Sequence, residues 1–131
     1  MAVKSKPGLP RIMFDFGQGL VPAHKHTNGG GWVANTATVD DTAYIGPNAR
    51  IFGRACVLGS ARIYDNAQVF DRAQVFENAV VYGNAKIYER AKVYGSAKVY
   101  DEAEVYGDAR VYGLAVINEF ELVFDEMRIY A

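Results

Sequence analysis

A period of six residues runs from Ala37 to Ile117 without insertion or deletion. Every sixth residue from Ala37 to Ala115 is alanine, fourteen in succession, and two places after each stands Val or Ile. The branched column begins earlier, at Val33, and reaches Ile129 with seventeen members. Residues two apart in an extended chain point to the same side, so each Ala and its aliphatic share one face and their neighbours take the other. A helix drifts off a strict period of six, because it turns every 3.6 residues. Short strands with a corner every six residues keep it. The corners are written in: the second residue after each aliphatic is usually Gly, Asp or Glu, and the next is often Asn, Ser or Arg. Gly and Asn tolerate the positive φ that a tight corner needs. A period of this kind predicts stacked coils of a solenoid.

The units Val-Tyr-Gly-Asn-Ala-Lys (81–86) and Val-Tyr-Gly-Ser-Ala-Lys (93–98) resemble the hexapeptide-repeat proteins, the left-handed parallel β-helices. The resemblance spans about 31–117. It implies an all-β, single-domain, triangular helix with three hexads, about eighteen residues, per coil and about five to six coils, with capping strands at both ends. The left hand comes from the resemblance; the usual crossover preference is right-handed. Homotrimers and acyltransferase activity are common in that family. One column departs from its pattern: the residue after the aliphatic, usually small there, is Tyr or Phe here.

Eighteen residues per coil sort the aliphatics into three walls. Wall one carries Val33, Ile51, Val69, Ile87, Val105 and Val123; wall two carries Val39, Val57, Val75, Val93, Val111 and Ile129; wall three carries Ile45, Ile63, Val81, Val99 and Ile117. The expected boundaries are a tail and cap over 1–32, coils over 33–117 and a capping strand over 118–131. Residues 1–10 read as a mobile tail, Arg11–Phe16 as a short strand, and Gly17–Gly19 as a turn. Gly29–Gly31 would lead the chain into the first coil, with Trp32 covering its open end. At 121 glutamate replaces the expected alanine, and a lone carboxylate in a dry lumen is costly. The chain is therefore expected to leave the regular coil there. The alternation over 119–130 then reads as one strand sealing the far end.

Formal charge is −1, which argues against a broad nucleic-acid surface though not against a local basic patch. Cys56 is the only cysteine, so no intrachain disulfide forms, and its parity points outward as an ordinary surface thiol. No apolar run approaches the ~18 residues of a membrane span. No apolar signal core follows Lys4 and Lys6, which makes the cytoplasm the default compartment.

Function would have to lie on the outer surface. From Phe52 to Tyr112 the column after the aliphatic has eleven positions, ten of them Phe or Tyr, stacked into ladders on each wall. On wall three Tyr44, Val80 and Val116, beside Tyr64, Tyr82 and Tyr100, form the most apolar face, the candidate self-association surface. On wall two Lys92, Arg110 and Arg128 stack beside Tyr94, Tyr112 and Tyr130. Stacked cations repel unless compensated, which marks a candidate site for an anionic ligand or a protein partner. A second ladder, Arg54, Arg72 and Arg90, is interleaved with Asp71 and Glu89 and reads as a structural ion-pair row.

No nucleophile–base pair stands in the repeat, and the leading function is a non-catalytic binding or interaction protein without a cofactor. The alternative, an acyltransferase, would need His24 or His26 as its base, since the repeat holds no His. The same two histidines, two apart in an extended segment, are the weak candidates for a metal. A carbonic-anhydrase-like site would need three His from the coils. An ice-binding wall would need regular Thr ladders, and neither pattern is present.

Overall fold

A computed structural model describes residues 12–131. The tail read over 1–10, and Arg11, lie outside the described residues. These form a β-solenoid of about six turns built from three sheets, with no helix among them.

The period sets the pairing. Ile51 lies beside Val69 on wall one, Val75 beside Val93 on wall two, and Val81 beside Val99 on wall three, each pair parallel and eighteen residues apart. Most of these strands are two residues long, so each coil depends on its neighbours. The Lys92 N–H donates to the Ala109 carbonyl and the Tyr94 N–H to the Val111 carbonyl, both at 2.9 Å. Inside, the Ala column from Ala43 and the branched column from Ile45 are fully or almost fully buried through Ile117. Burial stabilises by roughly 1.5–3 kcal/mol for each Val or Ile, while alanine keeps the corners narrow.

The rings form ladders outside, half-buried, with faces in contact. Phe52 stacks on Phe70 at 4.7 Å, Tyr64 on Tyr82 at 5.0 Å, and Tyr94 on Tyr112 at 5.1 Å. Pairs of this kind add roughly 0.5–1.5 kcal/mol beyond their burial.

At the corners the left-handed residue is the second after the aliphatic. It is Gly at some corners and Asp or Glu at seven others, with φ between 53° and 59°. The Asn, Ser or Arg that follows does not take positive φ, against the expectation for Asn. Five of these corner carboxylates, and Asp40 one place earlier in its hexad, bond to the next coil. Asp40, Asp65, Asp71, Glu77, Glu89 and Asp101 accept the backbone N–H of Gly59, Gly83, Glu89, Gly95, Gly107 and Glu119 at 2.8–3.1 Å.

The first coil is closed by an antiparallel hairpin, β1 (Met13–Asp15) and β2 (Leu20–Lys25), paired onto β3 (Trp32–Ala34). The hairpin extends the ladders backwards. Phe16 stacks on Phe52 at 4.9 Å, in the place where the first coil has Ala34 rather than a ring. Trp32 does not cover the lumen; it lies on the outer face of wall one, paired with Arg50 and stacked on Phe14 at 4.6 Å. Ala23 and His26 are the residues of 23–30 buried against the first coil. Trp32 is held outside by its parity, one residue before the inward Val33.

The far end also differs from expectation. Leu122–Val123 and Arg128–Tyr130 keep the eighteen-residue register on walls one and two. The regular coil therefore continues past 117, and no single strand seals the end. Glu121 is tolerated in the alanine column because it does not enter the lumen. Its side chain is exposed and accepts the Asn118 N–H at 2.9 Å.

Candidate functional site

The two cationic ladders turn out to border one groove. Each corner residue Arg54, Arg72, Arg90 or Asp108 is followed by an inward Ala and then by an outward residue of wall two: Cys56, Gln74, Lys92 or Arg110. These eight side chains line an open groove of about 420 Å³ running along the solenoid axis. Five are cationic and one is a carboxylate. Arg128 continues the wall-two column beside Arg110 in the last coil.

The ion-pair row expected at this corner is not formed. Among the described residues the recorded ion pair is Arg90 with Asp108, at 3.2 Å, both well exposed. Asp71 and Glu89 hold backbone N–H groups of the next coil instead. The corner cations Arg54 and Arg72 are thus left facing the groove with no carboxylate in ion-pair range among the described residues. Arg54 and Arg72 are site residues that reading each column separately overlooks. The signal was present: corner and wall columns flank one Ala, two residues apart.

Beside the groove stand Tyr94, Tyr112 and Tyr130. Tyr112 stacks on Tyr94 and, at 5.2 Å, on Tyr130. Ring faces within this ladder are occupied by neighbouring rings, so the interior of the ladder presents edges to a ligand. Ring edges carry the positive end of the aromatic quadrupole, which suits an anion. Cys56 lines the groove as a free, half-buried thiol.

Wall three gathers Tyr44, Tyr64, Val80, Tyr82, Tyr100 and Val116 onto one five-stranded sheet and its ring ladder. Val116 is 48% exposed and Tyr44 is also exposed. Arg62 and Lys98, both exposed, interrupt the apolar column. The Tyr82 phenol is pushed above its ordinary range by burial first and then by its ladder neighbours Tyr64 and Tyr100.

The two histidines have separate surroundings. His24 is exposed on β2, its Nδ1 2.7 Å from Asn35 Oδ1. The strand ends at Lys25, so His26 leaves the alternation. It is 6% exposed, with Nε2 donating to the Ala43 carbonyl at 2.9 Å. Its backbone N–H donates to Gly31 O and its carbonyl accepts from Gly30, which fixes the turn into the first coil. Among the described residues no three His, Cys, Asp or Glu side chains converge as metal ligands would. No helix among them is long and apolar enough to cross a membrane.

Compared with known proteins, the chain matches no family model, and no curated protein or solved structure is significantly similar to it.

Proposed function

We propose that this chain is a non-catalytic binding module that holds an anionic ligand, or an anionic segment of a protein partner, on the basic side of its solenoid. One observation carries the reading: five cations face a common groove while the neighbouring corner acids are bonded to backbone. Like charges about 4.8 Å apart repel by roughly 1 kcal/mol per pair even in water. An anion spanning two coils relieves that repulsion and accepts charge-assisted bonds from arginine forks. Lys92, Arg110 and Arg128 supply the wall side of the site, and the edges of Tyr94, Tyr112 and Tyr130 flank it.

The same reading gives wall three to self-association, with Tyr44, Tyr64, Val80, Tyr82, Tyr100 and Val116 as the contact and a homotrimer as the favoured assembly. The cytoplasm is the compartment proposed with it. An acyltransferase is the weaker alternative. His26 is buried with its Nε2 donating to a backbone carbonyl, whereas exposed His24 directs Nδ1–H to Asn35 Oδ1 and keeps Nε2 open, so a base in that reading would be His24.

Thermal shift with inorganic pyrophosphate and with citrate tests the binding reading. A ligand at a hundred times its Kd stabilises by about 2.7 kcal/mol, so a rise of several degrees in Tm is expected. The rise should disappear in the triple variant Lys92→Glu, Arg110→Glu, Arg128→Glu. An equal rise in that variant places binding elsewhere. A shift with acyl-CoA that depends on His24 or His26, and none with simple anions, would favour the transferase.

A further inference from the structure

Resting on the anion-binding reading of this groove, we propose that its ligand is a linear phosphate polymer without bases or sugars, of the inorganic polyphosphate type, lying along the solenoid axis.

The layout of the cations points to a chain rather than a compact ion. Arg54, Arg72 and Arg90 sit on successive coils of the corner, and Lys92 and Arg110 carry the row onward on the wall. From the coil of Arg54 to that of Asp108 is three steps, about 14 Å at the spacing of paired strands. A single phosphate meets two or three of these side chains, whereas a chain meets all of them. The lining side chains come from four successive coils, so the groove runs lengthwise along the axis rather than enclosing a single ion.

The remaining chemistry of the groove selects among polyanions. A single-stranded nucleic acid gains much of its affinity by stacking bases on free aromatic faces. Here the rings beside the groove stack on each other at 4.8–5.2 Å with nearly parallel planes, so their interior faces are taken. An acidic sugar chain brings many hydroxyl donors that need acceptors. The groove offers the Gln74 amide and the Asp108 carboxylate, and Asp108 is paired with Arg90. A polyphosphate needs neither faces nor acceptors. It carries charge on every unit, so it meets cations at a 4.8 Å repeat without a matching period of its own.

The test is calorimetric titration of the full chain with inorganic phosphate, pyrophosphate, tripolyphosphate, and medium- and long-chain polyphosphate. Affinity should rise with chain length until the groove is spanned and then level off. The logarithm of the association constant should fall with the logarithm of salt with a slope near −3, as about four or five neutralised phosphates give. Arg54→Glu with Arg72→Glu should weaken long-chain binding at least tenfold, and Lys86→Glu on wall one should change it less than twofold. Arg54→Gln with Arg72→Gln, a milder pair, serves if the charge reversal impairs folding by circular dichroism. Pyrophosphate binding that depends on Lys92 and Arg110 but shows no gain with length overturns the polymer while leaving the anion reading in place. Displacement of polyphosphate by fewer equivalents of poly-uridylate or of a sulfated oligosaccharide also overturns it. If no phosphate species or citrate binds, both readings fall.

Discussion

The Asp71 carboxylate accepts the backbone N–H of Glu89, one coil further on, at 3.1 Å. Asp71 itself holds φ of 59°. An L-residue pays roughly 1–2 kcal/mol for a left-handed backbone, and the bond to the next coil offsets it. The same bond keeps Asp71 from neutralising the arginine row, so a corner device also shapes the charge of the groove.

Replacing Asp71 separates the two effects. Asp71→Ala keeps the backbone strain and loses the bond, and should cost about 1–2 kcal/mol. Asp71→Gly loses the bond but relieves the strain, and should lie within about 0.5 kcal/mol of the parent. Urea denaturation checks the order. An alanine variant as stable as the parent would show that the carboxylate bond contributes nothing, and one as stable as the glycine variant would show no left-handed strain at this corner.

Glu121 and Ala103 occupy the same column one coil apart. Ala103 is fully buried, whereas Glu121 is exposed on the last coil. Ala103→Glu would place an unpaired carboxylate in the lumen and should cost at least about 3–5 kcal/mol, lost as soluble protein or as a large fall in Tm. Glu121→Ala should shift stability by less than about 1 kcal/mol. Equal effects of the two changes would contradict the exposed placement of Glu121.

Gly29 has φ of 115°, and a Cβ there would run into the Ile45 backbone. Its segment bonds both sides of Ile45: Gly31 N–H donates to the Ile45 carbonyl and Ile45 N–H to Asn28 O, each at 2.9 Å. Gly29→Ala should cost about 3 kcal/mol and raise hydrogen exchange first in the coil that holds Ile45. Unchanged exchange there would dismiss this turn as the closure of the first coil.

The Tyr88 hydroxyl donates to Glu104 Oε1 at 2.7 Å. Burial first, and then Glu104, push its phenol well above the ordinary value of 10.0. A pKa raised by folding means that its stabilising contribution is complete below the unfolded value, near pH 10, and is lost as pH climbs through the folded value. Stability should therefore fall above pH 10, and phenolate absorbance should show a last ionisation step from Tyr88, behind a smaller delay at Tyr82. In Tyr88→Phe that late step should vanish, with a loss of roughly 1 kcal/mol near neutral pH. A late step that survives would assign it elsewhere, for instance to Tyr82.

Legibility in the sequence followed the strength of the local rule. The three walls were readable because a period of six, tripled, allows one assignment of Val33 to Ile129, and burial enforces it. The ring ladders were readable for the same reason. The ends were not. Trp32 reads as a lid by size, but its parity before Val33 puts it outside. Glu121 reads as a break, yet its carboxylate stays exposed and accepts the Asn118 N–H while the register continues through Val123. The charge of the groove was misread for a third reason: pairing Arg72 with Asp71 by adjacency ignores that a left-handed corner turns the acid toward the next coil's backbone. Arg54 and Arg72 became site residues only once the corner and wall two were seen to share one concavity.

The most direct measurement is a heteronuclear NMR titration with pyrophosphate, following backbone amides and arginine Nε–H groups. Saturable shifts should concentrate at Arg54, Arg72, Lys92 and Arg110, with walls one and three unmoved. Shifts centred on wall three or on the histidine turn, or none at millimolar anion, would contradict an anion-binding groove on this side of the solenoid.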